Sequence, residues 1–218
     1  MPLATRDWGR TEYAEALTRM REVRGARRRG EIADTLLLTE HSPVITVGVG
    51  GADPASLPTG IPVVHVERGG MATYHGPGQL VGYAVVDLAA RGNDVRRFVH
   101  DLEEVVARAL ETVGVPAARV PGKRGVWVEG RRKIASVGVA VEEWVTFHGF
   151  ALNVDVDLAE FARFDPCGLP GSVMTSVARE LRRPASVDEL RAPVVAAWVS
   201  VFGTPYARAA PVATPLAT

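Results

Sequence analysis

The 218-residue sequence predicts an α+β fold: a single domain with a mixed, largely antiparallel sheet and flanking helices. Three observations carry that prediction. Apolar residues make up 47% of the chain, enough to bury a substantial core, and the length suits one domain. Strand-like runs come in consecutive groups between helices instead of alternating with them, which argues against a doubly wound parallel sheet. Short turn signals, Glu129-Gly130 and Glu142-Glu143, join several of the runs as antiparallel neighbours are joined.

The elements follow in order. Asp7 to Arg29 reads as an amphipathic helix with Tyr13, Leu17 and Met20 near helical spacing and Thr11 as its cap. Thr35–Thr39 and Val44–Val47 are short strand-type runs, followed by a Gly-rich loop through Pro54. Pro62–Glu67 is a third strand and Gln79–Leu88 a fourth, apolar enough to be buried on both faces. Asn93-Asp94 caps a helix whose stripe includes Val95, Phe98, Leu102, Val106 and Leu110, with Gly114 as its C-terminal stop. Strands are expected over 125–128, 133–141 and 144–154. Ser186-Val187-Asp188-Glu189 is a capping box that opens a last helix through Phe202. The domain is placed at 1–205. The remaining 206–218, rich in Ala, Pro and Thr, is expected to be a disordered tail.

Charge and cysteine usage narrow the function classes. Twenty-five basic residues balance 25 acidic ones, which removes a general attraction to nucleic acid or to an anionic membrane. No apolar run approaches the roughly 18 residues that span a bilayer. The leading residues hold no apolar core of a secretory signal, and the one cysteine forms no internal disulfide, so a cytoplasmic location is expected. The five histidines, at 41, 65, 75, 100 and 148, show no tight ligand spacing, and no metal or cofactor is expected.

Four segments look unlike plain scaffold. Arg68 to Gln79 sets an Arg, a Tyr and a His among four glycines and a proline; the plain alternative is a tight connection between buried strands, and the spacing is not that of a phosphate-binding loop. Lys133 opens an apolar strand, so its stem is expected to be partly buried; the plain alternative is an amine that reaches water at the strand end, and Ser136 and Gly138 leave room beside the backbone. His148 lies in Phe147-His148-Gly149-Phe150, where a hydrogen bond within the sheet is the plain reading. Cys167, the sole thiol, sits in a turn between Pro166 and Gly168, whereas a free cysteine usually behaves as a small buried hydrophobe.

If Lys133 and Cys167 meet in the fold, their chemistry is specific. A free thiol titrates near 8.5 and is only a few per cent thiolate at neutral pH. A neighbouring ammonium favours the thiolate, and a shift of about one to two units would make it a major species. The lysine can then serve as acid and as base while an acyl group passes from sulfur to sulfur and on to nitrogen. No nucleotide is needed, because the final amide is downhill from a thioester. The tetrahedral intermediates need backbone N–H donors, which Ser136 to Gly138 could supply.

Taken together, the stretches RGGMATYHGPGQ at 68–79, KIASVG at 133–138, FHGFALNV at 147–154 and DPCG at 165–168 resemble the lipoyl(octanoyl) transferase family, over a range from about Tyr13 to Phe202. The resemblance implies the α+β fold shared with the biotin and lipoate protein ligases. It implies Cys167 as the nucleophile that holds an octanoyl thioester and Lys133 as its acid/base partner. The acyl pocket would be lined by Arg68, Gly69, Gly70, Met71, Ala72, Thr73, Tyr74 and His75, by Ser136, Val137 and Gly138, and by Gly149, Phe150 and Ala151, with His148 orienting the chemistry. The implied donor is octanoyl-acyl carrier protein. The implied acceptors are lipoyl domains of 2-oxoacid dehydrogenases and the glycine-cleavage carrier protein. Two other readings stay open: an ATP-dependent lipoate or biotin protein ligase of the same fold, and a non-catalytic carrier-binding module.

Overall fold

The computed structural model describes residues 3–164 and 166–203, apart from the side chain of Cys167. The expected tail at 206–218 lies outside the described residues, as does the domain boundary at 205.

A seven-stranded sheet organises the chain. It contains β1 (Leu3–Thr11), β2 (Asp34–His41), β6 (Gln79–Val85), β10 (Val145–Asn153), β9 (Arg132–Glu142), β8 (Lys123–Val128) and β7 (Ala118–Val120), in that spatial order. The β1–β2 pair is parallel and the other pairs are antiparallel, so the sheet is mixed and largely antiparallel. A second sheet of three strands places β3 (Val44–Val47) between β4 (Val63–His65) and β5 (Ala72–His75). The helices are α1 (Tyr13–Arg28), α2 (Val95–Thr112), the short α3 (Val177–Leu181) and α4 (Val187–Phe202).

The two faces of the large sheet bury different things. On one, Leu36, Leu80, Leu152 and Ile134 pack against Phe98, Leu102 and Val106 of α2 and against Trp198 and Phe202 of α4. On the other, Val81, Tyr83, Phe147 and Ala151 pack against Tyr13, Leu17 and Met20 of α1. Every residue of β6 is buried, as its near-continuous apolar run requires of a central strand. A third cluster joins β3 and β5 to Phe161, Phe164 and Met174.

The ends of α2 and α4 follow their local signals. The Asp94 side chain accepts the Arg97 N–H at 2.9 Å, Gly114 follows α2 with φ +83°, and Ser186 and Glu189 close a reciprocal capping box. Other expectations need correction. Asp7 to Arg29 is not one helix: residues up to Thr11 form β1, in register with β2 from Leu3↔Asp34 to Asp7↔Leu38. The helix begins at Tyr13 behind Glu12, with no side-chain cap. The Thr11 hydroxyl is bonded instead to that of Thr39. Pairing with β2 overrides the weak helical signal of an exposed edge segment. The second hairpin turns at Glu143-Trp144, one residue later than expected. Both residues have positive φ, as do Glu129 and Gly130 in the first hairpin, the geometry of a two-residue turn that matches strand twist. The strands β5 and β7 and the helix α3 carried too few residues to stand out in the sequence.

Candidate active site

Between the α1 face of the large sheet and the Arg68–His75 segment lies a cavity of about 220 Å³. Its floor is β9 and β10, in register Ser136↔Ala151 and Gly138↔Gly149. Gly138 shows why this stretch is built of small residues. A Cβ there would lie 2.8 Å from the Gly69 carbonyl oxygen and 3.3 Å from Arg68 Cδ. Its bare backbone lets the roofing loop descend, and the Gly69 N–H donates to the Val139 carbonyl at 2.9 Å.

Most of the predicted residues meet here. Arg68, Gly69, Gly70, Met71, Thr73 and His75 line the cavity on one side, and Ser136, Val137, Gly138, Gly149, Phe150 and Ala151 on the other. Lys133 and His148 line it as well. Ala72 and Tyr74 do not. They alternate with Thr73 and His75 along β5 and so face the third apolar cluster, with Phe161. Sequence reasoning missed Tyr13, Val81, Tyr83 and Arg124, which also border the cavity. Tyr13 and Tyr83 were legible only as core aromatics. A wider groove of about 1080 Å³ between α2 and the β7–β8 hairpin holds none of the predicted site residues.

A buried hydrogen-bonded chain fixes the loop. Arg68 donates through Nη2 to the Thr46 carbonyl and hydroxyl at 2.8 and 2.7 Å, and through Nη1 to the Met71 carbonyl at 2.9 Å. Thr46 Oγ1 lies 3.2 Å from His75 Nε2, and His75 Nδ1 lies 2.7 Å from Gln79 Oε1. Since Oε1 can only accept, Nδ1 carries the proton and Nε2 accepts from Thr46. Gln79 Nε2 donates to Asn153 Oδ1 at 2.9 Å, and Asn153 Nδ2 to the Thr175 carbonyl at 3.0 Å. The Thr175 N–H then donates to the carbonyl of Lys133 at 2.9 Å. The Gly-rich loop, the end of β10 and the backbone of Lys133 are thereby held in one connected frame. Gln79 and Asn153 lie at or next to the ends of two of the sequence motifs; their joining role was not legible from spacing.

The histidines around this frame are neutral at pH 7. Burial pulls His75 down to about 3, helped by His41 and the Arg68 charge. Burial likewise lowers His41 to about 4. Its Nδ1 meets the Thr11 carbonyl at 3.2 Å and its Nε2 the Tyr83 hydroxyl at 2.7 Å, so Nδ1 is the protonated nitrogen and Tyr83 the donor. Burial, then Arg68, also lowers His148 to about 4. The same desolvation raises Tyr13 to about 12. The histidines and tyrosines of the cavity wall are therefore uncharged, and the Arg68 guanidinium is held against carbonyl oxygens.

Lys133 is buried, 3% exposed, as expected for its stem. Its Nζ lies 5.8 Å from the centre of the Trp127 ring, and no ion pair reaches it among the described residues. Its backbone bridges to Met174. Pro166–Gly168 forms a short 3-10 turn. Gly168, with φ +69°, lies against Met71 of the cavity lip: a Cβ on it would come within 3.1 Å of Met71 Sδ. The Cys167 side chain lies outside the described residues, so the turn is placed but its thiol is not.

Known proteins resemble the chain in both sequence and shape. The lipoyl protein ligase A/B catalytic domain matches residues 12–199. An octanoyltransferase of Geobacter metallireducens is 45% identical over 186 residues, 85% of this chain and 87% of that protein. One of Geobacter sulfurreducens is 45% identical over 196 residues, 89% and 83% of the two chains. Among solved structures, lipoate-protein ligase A bound with ATP superposes with TM-score 0.70 at 18% identity, covering 95% of this chain and 87% of that one. A bipartite lipoate protein ligase from Thermoplasma acidophilum superposes with TM-score 0.72 at 17% identity, covering 96% and 87%. At such low identity these structures speak for the fold, and the octanoyltransferases for the family. By sequence over most of its length, the chain belongs to the lipoyl(octanoyl) transferase family, within the lipoyl protein ligase A/B catalytic domain.

Proposed function

We propose that this protein transfers an octanoyl group from octanoyl-acyl carrier protein to a specific lysine of lipoyl domains, through a thioester on Cys167. The acceptors are the lipoyl domains of 2-oxoacid dehydrogenases and the glycine-cleavage carrier protein. The observation that supports this best is the burial of Lys133 in the wall of an apolar-floored cavity, with the Pro166–Gly168 turn packed on Met71 at the same cavity.

The chemistry balances without a nucleotide. The Cys167 thiolate adds to the thioester carbonyl carbon, the carrier's C–S bond breaks, and Lys133 gives its proton to the departing thiolate. Lys133, now neutral, takes a proton from the incoming lysine amine as that amine adds to the enzyme thioester. The C–N bond forms, the Cys167 C–S bond breaks, and thiolate and ammonium are restored together. His75 and His148 are uncharged and do not compete with Lys133 for the proton. Backbone N–H groups of the Ser136–Gly138 stretch are candidates to hold the oxyanion.

The test is transfer from octanoyl-carrier protein to a purified lipoyl domain, with no ATP present. The wild-type protein is expected to turn over, and Cys167→Ala to lose transfer while keeping its fold by circular dichroism. Full activity in that variant contradicts the proposal. Pyrophosphate release from ATP with free octanoate or lipoate would favour the ligase reading, and one solved relative of this fold is described as bound with ATP.

A further inference from the structure

On the reading that the cavity holds an acyl chain, we infer that His148 is its specificity-determining end wall, the residue that limits the length of chain accepted. Three observations carry this.

First, the register sets a direction. Along β9 the cavity runs from Lys133 past Ser136 and Gly138, and the next residue, Val139, pairs with His148. Six residues of strand at about 3.3 Å each separate the Lys133 and His148 backbones by roughly 20 Å, and both side chains reach into the cavity between them. A chain whose reacting carbonyl sits beside the Lys133 amine therefore points its methyl end at His148.

Second, the side chain is aimed there at a conformational cost. Alternation along β10 would set His148 on the face of Phe150, which packs in the α2/α4 core. His148 instead has φ +60°. Its ring lies against Tyr83, at 6.2 Å and nearly perpendicular, and on Phe147 at 5.1 Å. Both of those residues belong to the cavity-side core. A left-handed non-glycine residue inside a strand is strained, and such strain collects where function needs a side chain re-aimed.

Third, the ring is buried in the cavity wall and leaves one nitrogen without a hydrogen bond. His148 is 2% exposed, and its Nε2 has no hydrogen-bond partner. The nearest carboxylate, on Glu67, stands 3.6 Å away, outside hydrogen-bond reach. Met20 lies behind, its sulfur 3.2 Å from the His148 N–H. His41 and His75, by contrast, have both ring nitrogens within reach of a partner.

The test uses His148→Gly, which keeps the positive φ without strain, and His148→Asn, a smaller side chain that also tolerates it. Transfer is measured from octanoyl-, decanoyl- and dodecanoyl-carrier protein. Binding of free octanoate and dodecanoate is measured in parallel by calorimetry. The dodecanoyl-to-octanoyl ratio of kcat/KM is expected to rise at least about tenfold in His148→Gly, the scale on which a hydrophobic pocket discriminates chain length. Dodecanoate should bind the variant and not the wild type. A ratio that stays put while all three rates fall together overturns the end wall and leaves the transfer reading standing. Dodecanoate binding confined to the variant, in a protein that transfers nothing, supports the end wall and removes the transfer reading. Should His148→Gly fail to fold, the same ratio in His148→Asn decides.

Discussion

Single residues of the site differ in the charge they carry: Lys133 is a buried amine among histidines held neutral. Its replacement by alanine is expected to raise the pKa of the Cys167 thiol, read from the pH dependence of iodoacetamide alkylation. An unshifted curve counts against the pairing of the two. The buried histidines make a second prediction. His75, held down to about 3, and His41 and His148, held down to about 4, stay neutral when folded, whereas an unfolded imidazole gains its proton near 6.5. Their folded pKa values are depressed, so their full contribution to stability is present above about 6.5 and is lost as pH falls toward about 4. Each contributes at most about 1.4 kcal/mol per pH unit across that window. Thermal unfolding followed from pH 7 to pH 5 should show a falling midpoint. A midpoint that does not move in that range would mean the imidazoles are not held neutral. Ser136 and Gly138 were legible from their size as leaving room beside the backbone, whereas Lys133 became a site residue only through the family resemblance of its motif. The unusual backbone of His148 was not, because φ is set by pairing with a distant strand.

Secondary elements supply the precision of the site. The Arg68–Gly70 loop rests directly on Gly138, and Gly138→Ala should push it up: the added carbon would lie 2.8 Å from the Gly69 oxygen. The expected outcome is a loss of octanoate affinity that exceeds any loss of stability, measured by calorimetry alongside urea unfolding. Equal affinity would show that the loop does not roof the binding space. The Gln79 amide ties His75 to Asn153. Gln79→Leu takes a partner from three buried polar groups, His75 Nδ1, Asn153 Oδ1 and the Tyr74 carbonyl, and should cost at least about 2–4 kcal/mol in urea unfolding; a change within experimental error would show that the connected frame does not hold the site together. Local signals served well where an element declares itself: the caps of α2 and α4 and the buried run of β6. They failed for β1, whose residues become a strand only because β2 lies beside them. They also failed for β5, a four-residue strand inside what reads as a glycine loop, and its alternation is what turns Ala72 and Tyr74 away from the cavity.

For the whole molecule, the two faces of one sheet divide the labour. The α2/α4 face is a packed core of large apolar side chains, with Trp198 and Phe98 fully buried. The opposite face gives up part of its packing to a cavity floored by Gly138, Gly149 and Ala151 and walled by polar side chains that include Arg68, His75, Lys133 and His148. The strand order that creates this division brings 68–75, 133–138 and 148–151 together from three separate stretches of sequence. Composition and periodicity indicated the α+β class, but not this convergence, which depends on long-range pairing; the four motifs conveyed it through their resemblance to a family. The most direct test of the account is intact mass spectrometry of the protein after mixing with octanoyl-carrier protein in the absence of any acceptor. The account predicts a mass gain of one octanoyl group, localised to Cys167, absent from Cys167→Ala and discharged on adding a lipoyl domain. Transfer to the lipoyl domain that proceeds with no such adduct at any time point, or only once ATP is supplied, would contradict it.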